Sequence, residues 1–139
     1  MQKAWAQEHV RVSAGHETDL AGVDRDLWSA TVRASMEMRS DFGISSGKSN
    51  RGGTSAHNDG RAIDINRVDG TRFDDMDASA AASLGNRVAA EIVNRLGGRG
   101  MEVFTPGMAF RLDMHLSKTS SLNLQGSHYN HVHVSVRQP

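Results

Sequence analysis

The chain has 139 residues, 16 Lys and Arg against 16 Asp and Glu, and no cysteine. That length suits one domain with one core. The balanced charge argues against a nucleic-acid binder, which usually carries a basic excess, and gives no reason to invoke an anionic membrane surface. Without cysteine, disulfides and thiolate metal sites are excluded, so any metal must be held by His and carboxylate.

Apolar residues make up 37% of the chain and aromatics only 5%, so the core must be built from Val, Ile, Leu, Met and Ala. The 14 glycines lie mostly between periodic segments and read as loops on a compact scaffold. No run of about 18 apolar residues exists, so no bilayer span is expected. The N-terminus from Met1 to Glu8 lacks the apolar core of a signal peptide. The expectation is a chain exported by another route, or a domain excised from a longer protein.

In chain order, residues 1–17 read as an N-terminal extension. A helix is expected from Thr18 to Arg39, with Leu20, Val23, Leu27, Thr31 and Ala34 at helical spacing and Thr18 or Asp19 as cap. Phe42 to Ser46 reads as a short strand, Gly47 to Asp59 as a polar glycine-rich loop, and Arg61 to Asn66 as a strand. A second helix is expected from Asp77 to Leu96. Leu84, Val88, Ile92 and Leu96 recur at steps of four, Asp77 caps the start, and Gly97-Gly98 stops it. Met101 to Thr105 and Met108 to His115 alternate as strands. Asn130 to Val136 closes the chain, with Val132, Val134 and Val136 alternating against His131, His133 and Ser135. Helices and strands mix without a regular βαβ rhythm, so the fold class is α+β: one domain, a small antiparallel sheet and flanking helices.

Two groups of residues carry chemistry. Strand side chains repeat every second residue, so His131 and His133 share a face while the valines take the core. An exposed polar face that happens to carry histidine is the plain alternative. Asp64, between Ile63 and Ile65, points away from the core in an apolar strand and needs a partner. A salt bridge to Arg61 or Arg67 would serve, and so would zinc. His57 and Asp64 with one histidine of the closing strand give two nitrogens and one oxygen, which leaves a tetrahedral position open, the layout of a catalytic zinc site.

These residues resemble a family. His57 and Asp64, with six residues between them and followed far downstream by His131-Val132-His133, look like the LAS-type zinc peptidases. That group joins D-alanyl-D-alanine peptidases, the lysostaphin type and the hedgehog signalling domain. Ile44-Ser45-Ser46-Gly47 and Ser55-Ala56-His57-Asn58-Asp59-Gly60-Arg61-Ala62-Ile63-Asp64 fit as well, and the resemblance spans residues 42–136. Lysostaphin-type enzymes have a shorter His-to-Asp interval. The carboxypeptidase branch and its phage endolysin relatives carry an acid where this chain has Asn130, which cannot accept a proton. The penicillin-insensitive murein endopeptidases are more similar, with histidines at the positions of His128 and His131.

The resemblance implies zinc bound by His57, Asp64 and His133, with His131 and His128 catalytic. In that picture His131 orients or deprotonates the water, and His128 or protonated His131 stabilises the oxyanion or protonates the leaving amine. Lys48 or Arg51 takes the place of an arginine that touches substrate in many relatives, and Ser55 lies on the same substrate-side loop. The implied activity is zinc-dependent peptidoglycan endopeptidase, of the D-alanyl to diaminopimelate type, acting in the periplasm or cell wall. The alternatives are a D-alanyl-D-alanine carboxypeptidase, an L-alanyl-D-glutamate endopeptidase of the phage endolysin type, or a non-catalytic hedgehog-like zinc module. A toxin delivered by a secretion system would imply an immunity protein as partner.

Three other groups have plainer explanations. Asp113 and His115 read as a solvated strand face, although a hydrogen bond to a ligand histidine is conceivable. Asp74, Asp75 and Asp77 suit the positive end of the second helix better than a cation. His9 and His16 read as surface residues.

Overall fold

The structure, a computed structural model, describes residues 10–12, 22–46, 59–106, 109–112, 118–121 and 130–138. Among them the elements are β1 (Val10–Val12), α1 (Arg25–Met38), β2 (Phe42–Ser46), β3 (Ala62–Val68), β4 (Thr71–Arg72), α2 (Ala78–Val93), β5 (Gly100–Phe104), β6 (Ala109–Leu112), β7 (Lys118–Ser121) and β8 (Val132–Val136). Single turns of 3-10 helix lie at Phe73–Asp75 and Gly97–Arg99. The fold is α+β.

The strands form one sheet in the order β1-β2-β3-β8-β5-β6-β7, with β4 hairpinned onto β3. Every pairing is antiparallel except β1 with β2, which is parallel. The sheet is therefore mixed at one edge, where a purely antiparallel sheet is expected from the sequence. The C-terminal strand β8 is inserted between β3 and β5, so the last strand of the chain is among the most central.

The core fills the space between the sheet and both helices. Leu27, Ala30 and Ala34 from α1 and Val88, Ala89 and Ile92 from α2 pack with Ile44, Ile63, Ile65, Val103, Val132 and Val134. The apolar period of each helix turns one stripe to the sheet, and the alternation of each strand turns its β-branched residues to the helices.

Several boundaries differ from those read from sequence. α1 begins at Arg25 and is capped by Asp24, whose carboxylate accepts from the Asp26 and Leu27 amides. Thr18, Asp19 and Leu20 lie outside the described residues, and Gly22 and Val23 sit in a turn before the cap. Val23 is buried all the same, because the turn folds back onto the core. α2 starts after Asp77 as expected but ends at Val93, three residues early, and Gly97 takes φ +60° in the 3-10 turn beyond it. β3 continues to Val68, and β8 begins only at Val132. The strands β1, β4 and β7 carry too little alternation to be read from sequence.

Gly60 explains one glycine of the motif physically. It has φ +77°, and a Cβ there would lie 1.8 Å from the Gly22 carbonyl oxygen. Its own carbonyl accepts from the Asp24 amide at 2.8 Å. The start of β3 is thus locked to the cap of α1 through a position only glycine fits.

Candidate metal centre

Asp64 sits in the middle of β3, directly opposite His133 of β8. His133 is in turn opposite Phe104 of β5. Ile63, Ile65, Val132 and Val134 turn to the helices, so Asp64, His133 and Phe104 share the other face of the sheet. Three neighbouring strands put these side chains in one row.

Asp64 Oδ1 lies 2.8 Å from His133 Nδ1, and Nε2 of His131 lies 3.9 Å from the same oxygen. The side chains of Asp64 and His133 are 8% and 10% exposed, that of His131 18%. The more open imidazole belongs to the residue read as catalytic, and the two buried groups to those read as ligands. The Phe104 ring stacks on His133 with centroids 5.0 Å apart and planes at 30°. That contact fixes the imidazole plane and shields one flank of the pair from water.

A salt bridge from Asp64 to Arg61 or Arg67 is not what forms. Arg61 donates from Nε to Asp59 Oδ2 at 2.8 Å and from its other end to the Val136 carbonyl oxygen. Arg67 lies across Gly43 of β2, and its buried Nε has no hydrogen-bond partner. The buried carboxylate faces imidazoles instead.

The donor set fits a borderline divalent ion: one carboxylate oxygen and one imidazole nitrogen on rigid strands. Zinc–ligand distances near 2.0–2.2 Å place two tetrahedral donors roughly 3.3 Å apart, so this pair needs to open by only about half an ångström. Among the described residues no three His, Cys, Asp or Glu side chains converge in metal-holding geometry. The third ligand implied by the resemblance, His57, lies outside the described residues, as do Lys48, Arg51, Ser55 and His128. Asp113, His115, His9 and His16 lie outside them too.

Comparison with protein families, with curated proteins and with solved structures finds no match.

The expected common face of His131 and His133 needs one correction. His131 lies in a bend before β8, outside the strand, and Asn130 in a turn before it. The strand alternation therefore does not place His131. The bend does, and it also brings His131 Nδ1 to 2.8 Å from Asn130 Oδ1. Among the described residues, sequence reasoning misses Phe104 as a neighbour of the site, and it names Asn130 without its contact to His131. Phe104 was legible only as a strand residue, because its partnership with His133 depends on a register between segments 29 residues apart. The adjacency of Asn130 to His131 was visible, but a strand assignment would have pointed the two side chains to opposite faces.

Proposed function

We propose that the chain is a zinc-dependent endopeptidase that hydrolyses the peptide cross-links of bacterial peptidoglycan, of the D-alanyl to diaminopimelate type. The observation that carries the reading is the 2.8 Å approach of the Asp64 carboxylate to His133 Nδ1, with His131 Nε2 beside them. The His57 to Asp64 interval and the His131-Val132-His133 run supply the resemblance to zinc peptidases.

In this reading His57, Asp64 and His133 hold the metal. Bound zinc supplies Lewis-acid polarisation of the scissile carbonyl and makes water acidic enough to ionise near neutrality. Phe104 keeps His133 in plane and excludes water from behind it. His131 orients the attacking water and accepts its proton at Nε2, then returns a proton to the leaving amine, a step in which His128 assists. Lys48, Arg51 and Ser55, in the sequence between β2 and β3, are the substrate-binding candidates. Among the described residues no helix is long and apolar enough to cross a membrane.

Digestion of purified sacculi, with fragments identified by mass, tests the reading. The parent chain with zinc should convert cross-linked dimers to monomers, and His131→Ala should slow this about 10²–10⁴-fold while retaining zinc. Release of free terminal D-alanine would indicate a carboxypeptidase instead. Parent-like turnover by His131→Ala would refute the assigned role.

A further inference from the structure

We infer that Arg67 is a binding site for a substrate carboxylate, set by a bulge in β3 on the same face of the sheet as Asp64. The inference deepens the peptidase reading and rests on it for the substrate, but not for the binding of a carboxylate.

The bulge is visible in the register. Ile65 pairs with Ile44 of β2 and Arg67 with Gly43, so Asn66 is an extra residue on β3. Side chains alternate along a strand, and without the extra residue Arg67 would follow Ile63 and Ile65 into the core. The bulge turns it to the opposite face, and Val68 regains the core side. Gly43 makes room for it. A Cβ there would lie 2.8 Å from Arg67 Cβ, 3.3 Å from Cγ and 3.4 Å from Cδ, so the stem of Arg67 lies flat across the glycine.

The guanidinium held in this way is not spent on the protein. Among the described residues four arginines are half-buried: Arg61, Arg67, Arg99 and Arg137. Arg61 bonds Asp59 and the Val136 carbonyl oxygen, Arg99 bonds Asp24 and Asp26, and Arg137 donates to the Gly98 and Gly100 carbonyl oxygens. Arg67 has no such partner among the described residues, and its Nε is buried without a hydrogen bond. Burying a donor without an acceptor is costly, and folds keep such costs mainly at functional sites. Arg72 stands directly opposite on β4, where a like charge repels, but its own charge is met by Asp74 at 3.1 Å. Arg67 therefore presents one uncompensated positive charge on the face that carries Asp64.

A single charge on a planar fork matches one carboxylate in both charge and shape. A phosphate dianion calls for a second cation, and the charge of Arg72 is already met. Asp64 and Arg67 are three positions apart on β3, about 7–10 Å along the strand. That is the span of two or three extended residues. A peptide with its scissile bond at Asp64 and His133 thus brings a free carboxylate two or three residues away to Arg67.

Nitrogen-15 spectra of the arginine side chains in the full chain read the site directly. The Arg67 Nε–H resonance is identified by its loss in Arg67→Lys. Titration with acetyl-D-alanyl-D-alanine should shift it saturably, and the C-terminal amide of the same peptide should not. Arg67→Gln should bind the acid about 10–100-fold more weakly. On sacculi it should raise KM by a similar factor with kcat nearly unchanged. A resonance that ignores the acid, or that moves equally with acid and amide, would overturn the inference. So would a stronger response to inorganic phosphate, or parent affinity for the acid in Arg67→Gln. Should that variant not fold, the parent titration decides alone. A parent that binds the acid at Arg67 but cuts no sacculi keeps the carboxylate site and sinks the peptidase reading. A parent that cuts sacculi while Arg67 ignores the acid does the reverse.

Discussion

Single side chains fix this molecule at two distant points, and the two use charge differently. Asp64 is a buried carboxylate that, among the described residues, meets the imidazoles of His133 and His131 rather than Arg61 or Arg67. Asp24 meets Arg99 in a closed pair. Arg99 donates to both Asp24 oxygens at 3.0 and 2.8 Å, to Asp26 at 2.7 Å and to the Arg137 carbonyl oxygen at 2.6 Å. This ties the cap of α1 to the ends of β5 and β8. Burial works to raise the Asp24 pKa, but the Arg99 guanidinium and the Leu27 and Asp26 amides outweigh it and hold the carboxyl below the usual 3.8. A group depressed in the folded state contributes stability above its unfolded pKa and loses it as pH falls through the folded value. Asn caps helices as well as Asp does, so Asp24→Asn removes the charge while sparing the cap. We expect it to cost about 2 kcal/mol at pH 7, a difference that narrows as the parent is acidified below 3.8. Urea unfolding of both chains at pH 7 and near pH 3 measures this. A difference equally large at both values would show that the ionised carboxylate is not what stabilises.

At the scale of elements, α2 is packed tightly at Gly85 against Pro106 and the Val132 side chain of β8. A Cβ on Gly85 would come within 2.7 Å of Pro106 Cδ and 3.5 Å of Val132 Cγ2. Gly85→Ala gains up to about 1 kcal/mol of helix propensity but overpacks against a rigid ring, which costs about 1–3 kcal/mol. The net effect should be a loss of about 1 kcal/mol, read as a lowered Tm. A raised Tm would mean the helix moves off Pro106 freely. Elements with strong periodicity were legible in the sequence: the valine alternation of β8, the four-residue steps of α2 with its Asp77 cap, and the β2 and β3 segments. The apolar spacing of Leu20 and Val23 extends the pattern of α1 toward the N-terminus, so the sequence reading starts the helix before Arg25, where it begins. Asp24, which can take the amides of Asp26 and Leu27, is the better cap and wins. The short strands β1, β4 and β7 owe their existence to pairing with neighbours, and tertiary pairing leaves little trace in two to four residues. At the site, Asp64 and His133 stand out in the sequence as a carboxylate in an apolar strand and an imidazole in a valine alternation. The stacking of Phe104 on His133 and the contact of Asn130 with His131 do not, since both follow from register and from the point where β8 begins.

Across the whole molecule, the two helices cover one face of the sheet with the core and leave the polar row of Asp64 and His133 on the other. The chain order makes that row possible. Asp64 and His133 are 69 residues apart in sequence, and insertion of the C-terminal strand between β3 and β5 brings them face to face at the middle of the sheet. Central strands are held on both sides, so Asp64 and His133 are fixed by the fold rather than by a loop, as the proposed ligation requires. The central claim is that these two atoms hold a divalent ion. Zinc content after equilibration with the metal and exhaustive dialysis, measured on the parent chain and on Asp64→Ala and His133→Ala, tests it most directly. The account predicts about one zinc per parent chain and under about a tenth in either variant, given the 10–100-fold or larger affinity losses that follow disturbance of a metal site. A zinc-free parent, or variants that keep as much zinc as the parent, would contradict it.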